Sequence, residues 1–404
     1  MKNNSFNTHC IALIITIAAC GPISAEQAQE AAKKEPRWVL DCSGQRPAPK
    51  VAITNVCAWP NLTRLPNGDI VALIFNQPGH GNVPGDVECW ASQDEGETWT
   101  RRSVAAPRGT PEQNRMNVAA GLTSEGNWIL ITSGWSQPGQ SDTNRPDLNQ
   151  VLPPWVCISK DGGRTWSIDK ECFPKAPDGR ELIPFGDIMP GKDGKLRVAA
   201  YRGPLDADKQ EAARAAAKGD VPLIRASYGW NWVVRGDGKT WEKPLSIAHR
   251  NGHNETALLH LGEGKWLAAA RRAGLTLYYS DDDAQTWKPY GPLPHGKVTA
   301  NPLHPGHLTR LQDGSILLSY GNRRHPPEFT TSPGVEVMFS SDEGKSWSEP
   351  YRLLDVDSGD SGYPSSVQRK DGQVVTAYYA KGIPGHKGYH MGVVIWDPVK
   401  TRKP

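Results

Sequence analysis

The chain of 404 residues is rich in the residues of tight turns and aromatic anchors, with 41 Gly, 34 Pro and 15 Trp. Only 37% of the residues are hydrophobic, which favours a β-rich fold of many short strands with little helix. The net charge of +3, without a basic run, argues against nucleic acid as a partner.

The N-terminal segment has the pattern of an export signal. Lys2 precedes an apolar run at residues 10–20 that is too short to span a membrane. The sequence Ile-Ala-Ala-Cys that ends at Cys20 is similar to a bacterial lipobox, which predicts a lipid on Cys20 and attachment to a membrane. Cleavage after Ala25 is the alternative. We therefore expect a signal within residues 1–25 and a bacterial protein that is periplasmic, held at the cell surface or secreted.

Removal of such a signal leaves five cysteines in a compartment that permits disulfides. Cys157 and Cys172 flank one copy of a repeat, so they are candidates for a disulfide across its hairpin. The odd count leaves at least one thiol unpaired. The sequence has no Cys-x-x-Cys motif, His cluster or Asp/Asn ladder, so we predict that neither a metal nor a cofactor is required.

One eight-residue pattern, of the type Ser-x-Asp-x-Gly-x-Thr-Trp, recurs along the chain. Asp and Gly favour a reversal of the backbone, and Trp anchors the turn against a sheet, so each copy predicts a β-hairpin. The pattern resembles the Asp-box of the sialidase (neuraminidase) superfamily, in which the box joins the outer strands of propeller blades. The copies are Ser92–Trp99, Ser159–Trp166, Ser280–Trp287 and Ser340–Trp347, with a degenerate fifth at Val234–Trp241.

A second repeat, out of phase with the first, predicts the number of blades. Each copy is an apolar strand, a turn of Asp, Asn or Glu followed by Gly, and another apolar strand, at a spacing of roughly 50 to 70 residues. The turn glycines are Gly68, Gly126, Gly194, Gly264, Gly314 and Gly372. Six inner hairpins predict an all-β, six-bladed β-propeller with Asp-box hairpins over residues 37–400. We expect either Arg37–Leu40 or Val51–Thr54 to complete the last blade, and residues 205–219 to form a short helix between strands.

Equivalent positions in these hairpins carry the candidate functional side chains. Nine residues before the turn glycine lie Trp59, Asn117, Phe185, Glu255, Pro305 and Tyr363, and after it come Arg202, Arg271 and Arg323. The start of the first strand and the end of the second lie at the same end of a hairpin. We therefore expect these side chains to converge at one mouth of the propeller axis, with Trp59 among the substrate-binding residues.

Three segments resemble the sialidase active site in the expected order. Glu255–Arg271 is similar to the segment with the Glu partner of the nucleophile and the second arginine, and Gly362-Tyr363 is similar to the nucleophile segment. Arg323, in Tyr-Gly-Asn-Arg before an Asp-box, matches the third arginine. The resemblance implies that Tyr363 attacks, that Glu255 accepts its proton, and that Arg271 and Arg323 bind a substrate carboxylate.

Those residue types suit a sugar with a carboxylate on its anomeric carbon. Guanidinium groups bind a carboxylate through paired, charge-assisted hydrogen bonds. A carboxylate nucleophile would be repelled by the substrate's negative charge, whereas a neutral tyrosine approaches once a neighbouring glutamate takes its proton.

The sequence departs from the sialidase pattern in the first blade. Ala58 stands where the superfamily has its first arginine, so Arg202 and Arg115 are candidate replacements. Asp86 and His80 are the candidates for the acid/base on the loop of the same blade. Which member of each pair has the role stays open at this point.

The predicted function is that of an exported glycoside hydrolase, similar to a retaining exo-α-sialidase, which removes terminal sialic acids from glycoconjugates. An acid/base at His80 also suits a hydrolase or lyase acting on a uronate-containing glycan, and a non-catalytic glycan-binding protein is the third alternative. The expected partner is a glycan with a carboxylated sugar. No feature of the sequence indicates an oligomeric state.

Overall fold

The computed structural model describes residues 37–40, 47–139, 150–203, 229–248, 252–272, 274–293, 303–323 and 333–401. Within these ranges every regular element is a β-strand. None of the described segments forms a helix of the length and hydrophobicity that crossing a membrane requires. The export signal, Cys20 and the helix expected at residues 205–219 lie outside the described residues.

The strands in chain order are β1 (Arg37–Leu40), β2 (Lys50–Thr54), β3 (Ala58–Arg64), β4 (Ile70–Phe75), β5 (Val87–Ser92), β6 (Thr100–Ala106), β7 (Asn117–Leu122), β8 (Trp128–Ser133), β9 (Trp155–Ser159), β10 (Ser167–Asp169), β11 (Ile183–Pro190), β12 (Leu196–Arg202), β13 (Trp230–Gly236), β14 (Leu245–Ser246), β15 (Thr256–Gly262), β16 (Lys265–Arg271), β17 (Leu275–Ser280), β18 (Lys288–Pro292), β19 (Leu303–Arg310), β20 (Ile316–Asn322), β21 (Gly334–Ser340), β22 (Tyr351–Asp355), β23 (Ser361–Gln368), β24 (Val374–Ile383), β25 (His386–Trp396) and β26 (Pro398–Thr401).

These strands form four-stranded antiparallel meanders in chain order. The meanders are β3–β6, β7–β10, β11–β14, β15–β18 and β19–β22, followed by β23, β24 and β25 with β2 at the outer edge. A parallel pairing of β7 with β11 joins two of them into one eight-stranded sheet. The first strands of successive meanders contact one another, so side chains at their starts share one central space. The all-β prediction is confirmed, and six is the blade count that the turn repeat predicts.

Only one of the two N-terminal segments expected to complete the last blade does so. The strand that completes the last meander is β2, which contains Val51–Thr54 and pairs antiparallel with β25. Arg37–Leu40 does not take that place, because β1 pairs with β26 in a separate two-stranded sheet. The expectation for Val51–Thr54 is therefore confirmed, and that for Arg37–Leu40 is wrong.

Both repeats lie at the predicted hairpins. The six turn glycines each connect the first and second strands of a meander, and the Asp-boxes connect the third and fourth. In the box of β17 and β18, Asp282 accepts hydrogen bonds from the Thr286 amide at 2.9 Å and the Thr286 hydroxyl at 2.5 Å. The Ser280 hydroxyl donates to the same carboxylate at 2.8 Å, and Trp287 is buried. The box is therefore a local hydrogen-bonded turn closed by an aromatic anchor.

The first strands of several meanders contain a bulge at the position that faces the central space. Ladder pairing shifts between Ala58 and Asn61 in β3 and between Gly362 and Ser365 in β23. Within these bulges Trp59 has a φ of 46° and Tyr363 a φ of 49°. Proline follows each of these two residues and has no N–H to give to a ladder. The bulges turn the Trp59 and Tyr363 side chains out of regular strand alternation and towards the candidate site.

The expected disulfide does not form. The four described cysteines, among them Cys157 and Cys172, are all free thiols. Cys157 lies fully buried in β9, whereas the amide of Cys172 is bound by Asp169 at 3.0 Å in the turn after β10. The two residues therefore belong to different parts of the hairpin and not to facing positions of its ladder.

Candidate active site

A cavity of about 460 Å³ lies where the first strands begin. Five of the six side chains at the position nine residues before the turn glycine line it, namely Trp59, Asn117, Phe185, Glu255 and Tyr363. The sixth, Pro305, is followed by Gly306, which also lines the cavity. The expected convergence of these strand starts is therefore what the structure shows.

Tyr363 and Glu255, which line this cavity, form one hydrogen-bonded cluster with Arg271, which lies outside the lining. The Tyr363 hydroxyl donates to Glu255 Oε1 at 2.5 Å. Arg271 Nη1 donates to the other oxygen of the same carboxylate and to the Tyr363 oxygen, at 3.2 Å from the latter. The Glu255 side chain is 9% exposed and that of Arg271 is 15% exposed. The cluster joins residues that are 108 positions apart in the chain.

The surroundings of Tyr363 keep its hydroxyl protonated in the resting protein. Burial raises the pKa of Tyr363, the negative charge of Glu255 raises it further, and the positive charge of Arg271 only partly offsets both. A phenol of this kind becomes a nucleophile only when a base removes its proton during attack. Glu255 is within hydrogen-bond distance to do so.

Arg323 lies beside the cluster and makes other contacts. Its Nε donates to the carbonyl of Ser361 at 3.0 Å, and its Nη2 donates to the Tyr379 hydroxyl at 2.6 Å. Arg323 itself does not line the cavity, although its charge acts on the hydroxyl of Tyr363. Two of the three expected arginine positions are therefore occupied near the cavity.

Neither candidate for the missing arginine reaches the cavity. Arg115 is buried beneath the ring of Trp155, 3.9 Å from its centroid, and donates to the carbonyl of Pro153 at 2.7 Å. Arg202 pairs with Asp178 at 2.5 Å. Neither arginine is part of the cavity lining. Both candidate assignments are corrected, because these two side chains are held by partners in their own blades.

Asp86 is also not at the cavity. Its carboxylate accepts the Arg108 amide at 2.8 Å and lies 3.2 Å from Arg108 Nε. Its own amide donates to Asn76 at 3.0 Å. Asp86 therefore ties the loop after β4 to the start of the next blade, and its assignment as a catalytic acid is corrected.

Trp59 and His80, by contrast, both line the cavity. The His80 ring lies edge-on to Trp59 at a centroid distance of 5.1 Å, and Trp59 contacts Tyr363 at 6.4 Å. Trp59 therefore contacts both His80 and Tyr363. Ala58, beside it, is fully buried with a φ of 56°.

Sequence reasoning missed the carboxylate that binds His80. Asp360 Oδ1 lies 2.7 Å from His80 Nδ1 and accepts from the Tyr379 hydroxyl at 2.8 Å, while the Tyr389 hydroxyl donates to Oδ2. Burial alone would raise the pKa of Asp360, but the hydrogen bonds from His80 and Tyr389 outweigh it and lower that pKa. The only signal in the sequence is that Asp360 precedes Tyr363 by three residues.

A second missed group forms the floor of the cavity. His307 Nε2 lies 3.0 Å from Asp187 Oδ2, and the Asn61 amide donates to Asp187 at 3.4 Å and to the Gly186 carbonyl at 2.9 Å. The Asn61 Oδ1 atom is buried without a partner. These polar groups come from three different first strands. Across the described ranges, no group of three or more His, Cys, Asp or Glu side chains is placed to hold a metal ion.

The meander topology and the cavity at the strand starts define a β-propeller with an axial candidate site. Residues 68–376 match the family model described as a BNR repeat-like domain. The chain therefore belongs to the BNR repeat-like domain family, as the Asp-boxes indicated. A comparison with curated proteins gives no significant match.

Solved structures with the same fold include sialidases. A protein of unknown function from Dyadobacter fermentans has a TM-score of 0.67 and 20% identity, over 88% of this chain and 99% of that chain. A sialidase from Trypanosoma rangeli has a TM-score of 0.58 and 15% identity, over 90% of this chain and 58% of that chain. A mutant of NanB sialidase from Streptococcus pneumoniae has a TM-score of 0.59 and 12% identity, over 91% and 72%. The predicted similarity to sialidases is confirmed for the fold.

Proposed function

We propose that the protein is a retaining glycoside hydrolase for a sugar of the sialic acid class, with Tyr363 as its nucleophile. The observation that carries the proposal is the 2.5 Å hydrogen bond from the Tyr363 hydroxyl to Glu255 at the axial cavity. A neutral nucleophile with an adjacent base suits attack on an anomeric carbon that carries a carboxylate. Arg271 donates to Tyr363 and Glu255, and the charge of Arg323 acts on the Tyr363 hydroxyl, so both supply positive charge next to the nucleophile although neither lines the cavity.

The reaction proceeds in two displacements. In the first, the Tyr363 oxygen bonds to the anomeric carbon, Glu255 takes the phenolic proton, and the bond to the leaving oxygen breaks as that oxygen is protonated. In the second, water attacks the same carbon and gives up a proton, and Tyr363 leaves and recovers its own proton from Glu255. Two inversions retain the configuration of the sugar.

The similar structures support a covalent route. The Trypanosoma rangeli sialidase has been solved with 2,3-difluorosialic acid as a covalent intermediate, at a TM-score of 0.58 and 15% identity to this chain. That finding belongs to the parasite enzyme. For this chain, the support is the placement of Tyr363 and Glu255 on first strands of the same propeller fold.

A fluorogenic α-sialoside tests the proposal with the purified chain. We expect turnover by the wild type and a loss of roughly 10²–10⁴-fold in kcat/KM for Tyr363→Phe and for Glu255→Gln, because each removes one partner of the proton transfer. Tyr290→Phe and Glu263→Gln are the matched controls, since both side chains are exposed and lie outside the cavity lining. Full activity in Tyr363→Phe contradicts the assignment of the nucleophile.

A second candidate function follows from Ala58, which stands where the superfamily has its first arginine. Arg115 and Arg202 are held elsewhere, so only two arginines remain to bind a carboxylate. A uronate also carries a carboxylate that two guanidinium groups can bind, although that carboxylate is not on the anomeric carbon. Hydrolysis next to a uronate gives new reducing ends. Elimination removes the proton beside the carboxylate, expels the glycosidic oxygen and leaves a conjugated double bond.

The two candidate functions predict different assay results. Release of the fluorophore from the α-sialoside supports the first. A rise in ultraviolet absorbance or in reducing ends on uronate polymers, with no turnover of any sialoside, supports the second. Glycan binding that Tyr363→Phe leaves unchanged, without any turnover, contradicts both and supports a binding protein.

A further inference from the structure

The inference concerns the group that protonates the leaving oxygen, and it rests on the proposed function. Cleavage of a glycoside with an unactivated leaving group needs an acid within hydrogen-bond reach of that oxygen. Asp86 is bound to Arg108 and does not line the cavity. The proton carrier must therefore be a different side chain.

Few described side chains at the cavity can exchange a proton. They are His80, Tyr201, Glu255, His307 and Tyr363. Of these, Tyr363 and Glu255 are bound to each other. Tyr201 is half-buried, and desolvation with the negative charge of Glu255 raises the pKa of its phenol.

His307 is also committed to the protein, through both of its ring nitrogens. Its Nε2 faces Asp187 at 3.0 Å, and its Nδ1 is bound by the Thr309 hydroxyl at 3.1 Å and the Ser366 amide at 3.2 Å. No nitrogen of this ring is left to meet a substrate. Elimination of the other candidates leaves His80, whose side chain is 50% exposed.

His80 has the arrangement of an oriented imidazole. Asp360 holds its Nδ1 at 2.7 Å, which leaves Nε2 as the nitrogen that can face a ligand. The ring packs edge-on against Trp59, which in turn contacts the nucleophilic tyrosine. Trp59 therefore contacts both His80 and Tyr363, and all three side chains line the same cavity.

Asp360 is in turn held by two tyrosine hydroxyls. The Tyr379 and Tyr389 hydroxyls both donate to its carboxylate. Arg323 donates to the Tyr379 oxygen at 2.6 Å, so the Tyr379 proton is directed to Asp360. An anionic carboxylate held this way stabilises an imidazolium and fixes the orientation of its ring.

We infer that His80 is the catalytic acid/base of this hydrolase, with Asp360 as its positioning residue. In the first displacement imidazolium Nε2 gives its proton to the leaving oxygen as the glycosidic bond breaks. In the second, neutral Nε2 takes a proton from the attacking water, which restores the imidazolium. One proton is transferred in each direction, so the cycle needs no other reactant.

The other titratable groups around this pair are Cys57, His304, Arg323, Tyr379, Lys381 and Tyr389. Burial, with the positive charges of Arg271 and Arg323, lowers the pKa of His304, so this neighbour stays neutral. Burial raises the pKa of Cys57 and of Tyr379, and neither ionises near neutral pH. Asp360, whose carboxyl has a lowered pKa, therefore supplies the negative charge that faces the His80 ring.

The test is a leaving-group series measured with the wild type and His80→Gln. For a sialoside with an alkyl or sugar leaving group we expect kcat/KM to fall by roughly 10²–10⁴-fold in the variant, because the departing alkoxide lacks its proton. For an aryl sialoside with an acidic phenol we expect a fall of less than about 10-fold, since that phenolate departs without help. The variant also loses one limb of the pH–rate profile.

His386→Gln is the matched control, since this histidine lies on the hairpin at the start of β25 and outside the cavity lining. Equal losses on all leaving groups in His80→Gln, with an intact fold by thermal unfolding, overturn the inference and leave the proposed function standing. No turnover of any sialoside by the wild type overturns the proposed function and this inference together. The two failures are therefore distinguishable.

Asp360→Asn tests the positioning residue, because it keeps the shape and one acceptor while removing the charge. We expect the alkaline limb of the pH–rate profile to move to lower pH, since the imidazolium loses its anionic partner. The variant is also expected to show the same leaving-group dependence as His80→Gln, in weaker form. A change in KM alone, with the pH profile unmoved, contradicts a role through His80.

Discussion

The Asp-boxes are predicted to be pH-dependent stabilisers of the fold. In each complete box the aspartate accepts three hydrogen bonds. The donors are a backbone amide, the hydroxyl of the Thr or Ser before Trp, and the hydroxyl of the first Ser. These aspartates are Asp94, Asp161, Asp282 and Asp342. Substitution by Asn keeps one acceptor oxygen and removes the charge. For Asp282 the lost acceptor is the one that receives the Thr286 hydroxyl at 2.5 Å.

The magnitude follows from the number of bonds and their exposure. A hydrogen bond to a charged group contributes about 1.5–3 kcal/mol when buried, but these turns are exposed, so we expect about 1 kcal/mol for each box. The four boxes belong to different meanders and share no hydrogen bond, so their effects add to about 4 kcal/mol in the quadruple variant. For a domain of this size that corresponds to a melting temperature lower by about 5 °C.

The sign with pH follows from the direction of the shifts. Burial would raise the pKa of Asp94 and of Asp161, but hydrogen bonds from the neighbouring hydroxyls and amides lower both to about 2. A carboxyl whose pKa is lower in the folded state stabilises the fold above its unfolded pKa, and that contribution is lost as the pH falls towards the folded value. The difference in unfolding free energy between the wild type and the variant is therefore largest near pH 7 and declines from about pH 4 to about pH 2.

Urea unfolding followed by tryptophan fluorescence across that pH range measures the effect. The single variant Asp282→Asn is compared with Asp281→Asn, since Asp281 is the next residue and its side chain is 68% exposed. A cost for Asp281→Asn equal to that for Asp282→Asn refutes the assignment to the box hydrogen bonds. A difference in unfolding free energy that stays constant down to about pH 2 refutes the electrostatic reasoning.

Two further substitutions test the packing around the axis. Ala58→Arg is expected to lower the unfolding free energy by at least about 3 kcal/mol, because position 58 is fully buried with a φ of 56°. We also expect no increase in sialoside turnover, and a gain in kcat/KM contradicts this expectation. Gly121→Ala places a Cβ 1.9 Å from the Ile188 carbonyl oxygen and is expected to cost about 3 kcal/mol in thermal or urea unfolding. Gly203→Ala, whose Cβ meets no atom of the described residues within 4 Å, is expected to be nearly neutral.

Local patterns predicted the hairpins, and the reason is physical. An Asp-box stabilises itself within eight residues, and a turn such as Asp313-Gly314 needs only a positive φ at its glycine, so both signals are legible in one short segment. The register of these turns also placed Tyr363, Glu255 and Arg271 together, because equivalent positions of successive first strands share one central space.

The same reasoning failed where a side chain's direction depends on partners from elsewhere. Arg115 and Arg202 lie near strand ends as expected, but an indole ring and a loop carboxylate hold them away from the cavity. The Asp360 network was not predictable, because its donors come from the loop after β4 and from the strands β24 and β25, far apart in the chain. Strand periodicity does not encode such a meeting.

The pairing of β2 with β25 has a consequence for how the protein is made. Lys50–Thr54 is synthesised about 330 residues before its partner His386–Trp396. At roughly 5–20 residues per second, the early strand waits for tens of seconds with an unpaired edge, which is a template for association with other chains. A nascent chain of this protein is therefore expected to depend on holdase protection until the partner strand has been synthesised.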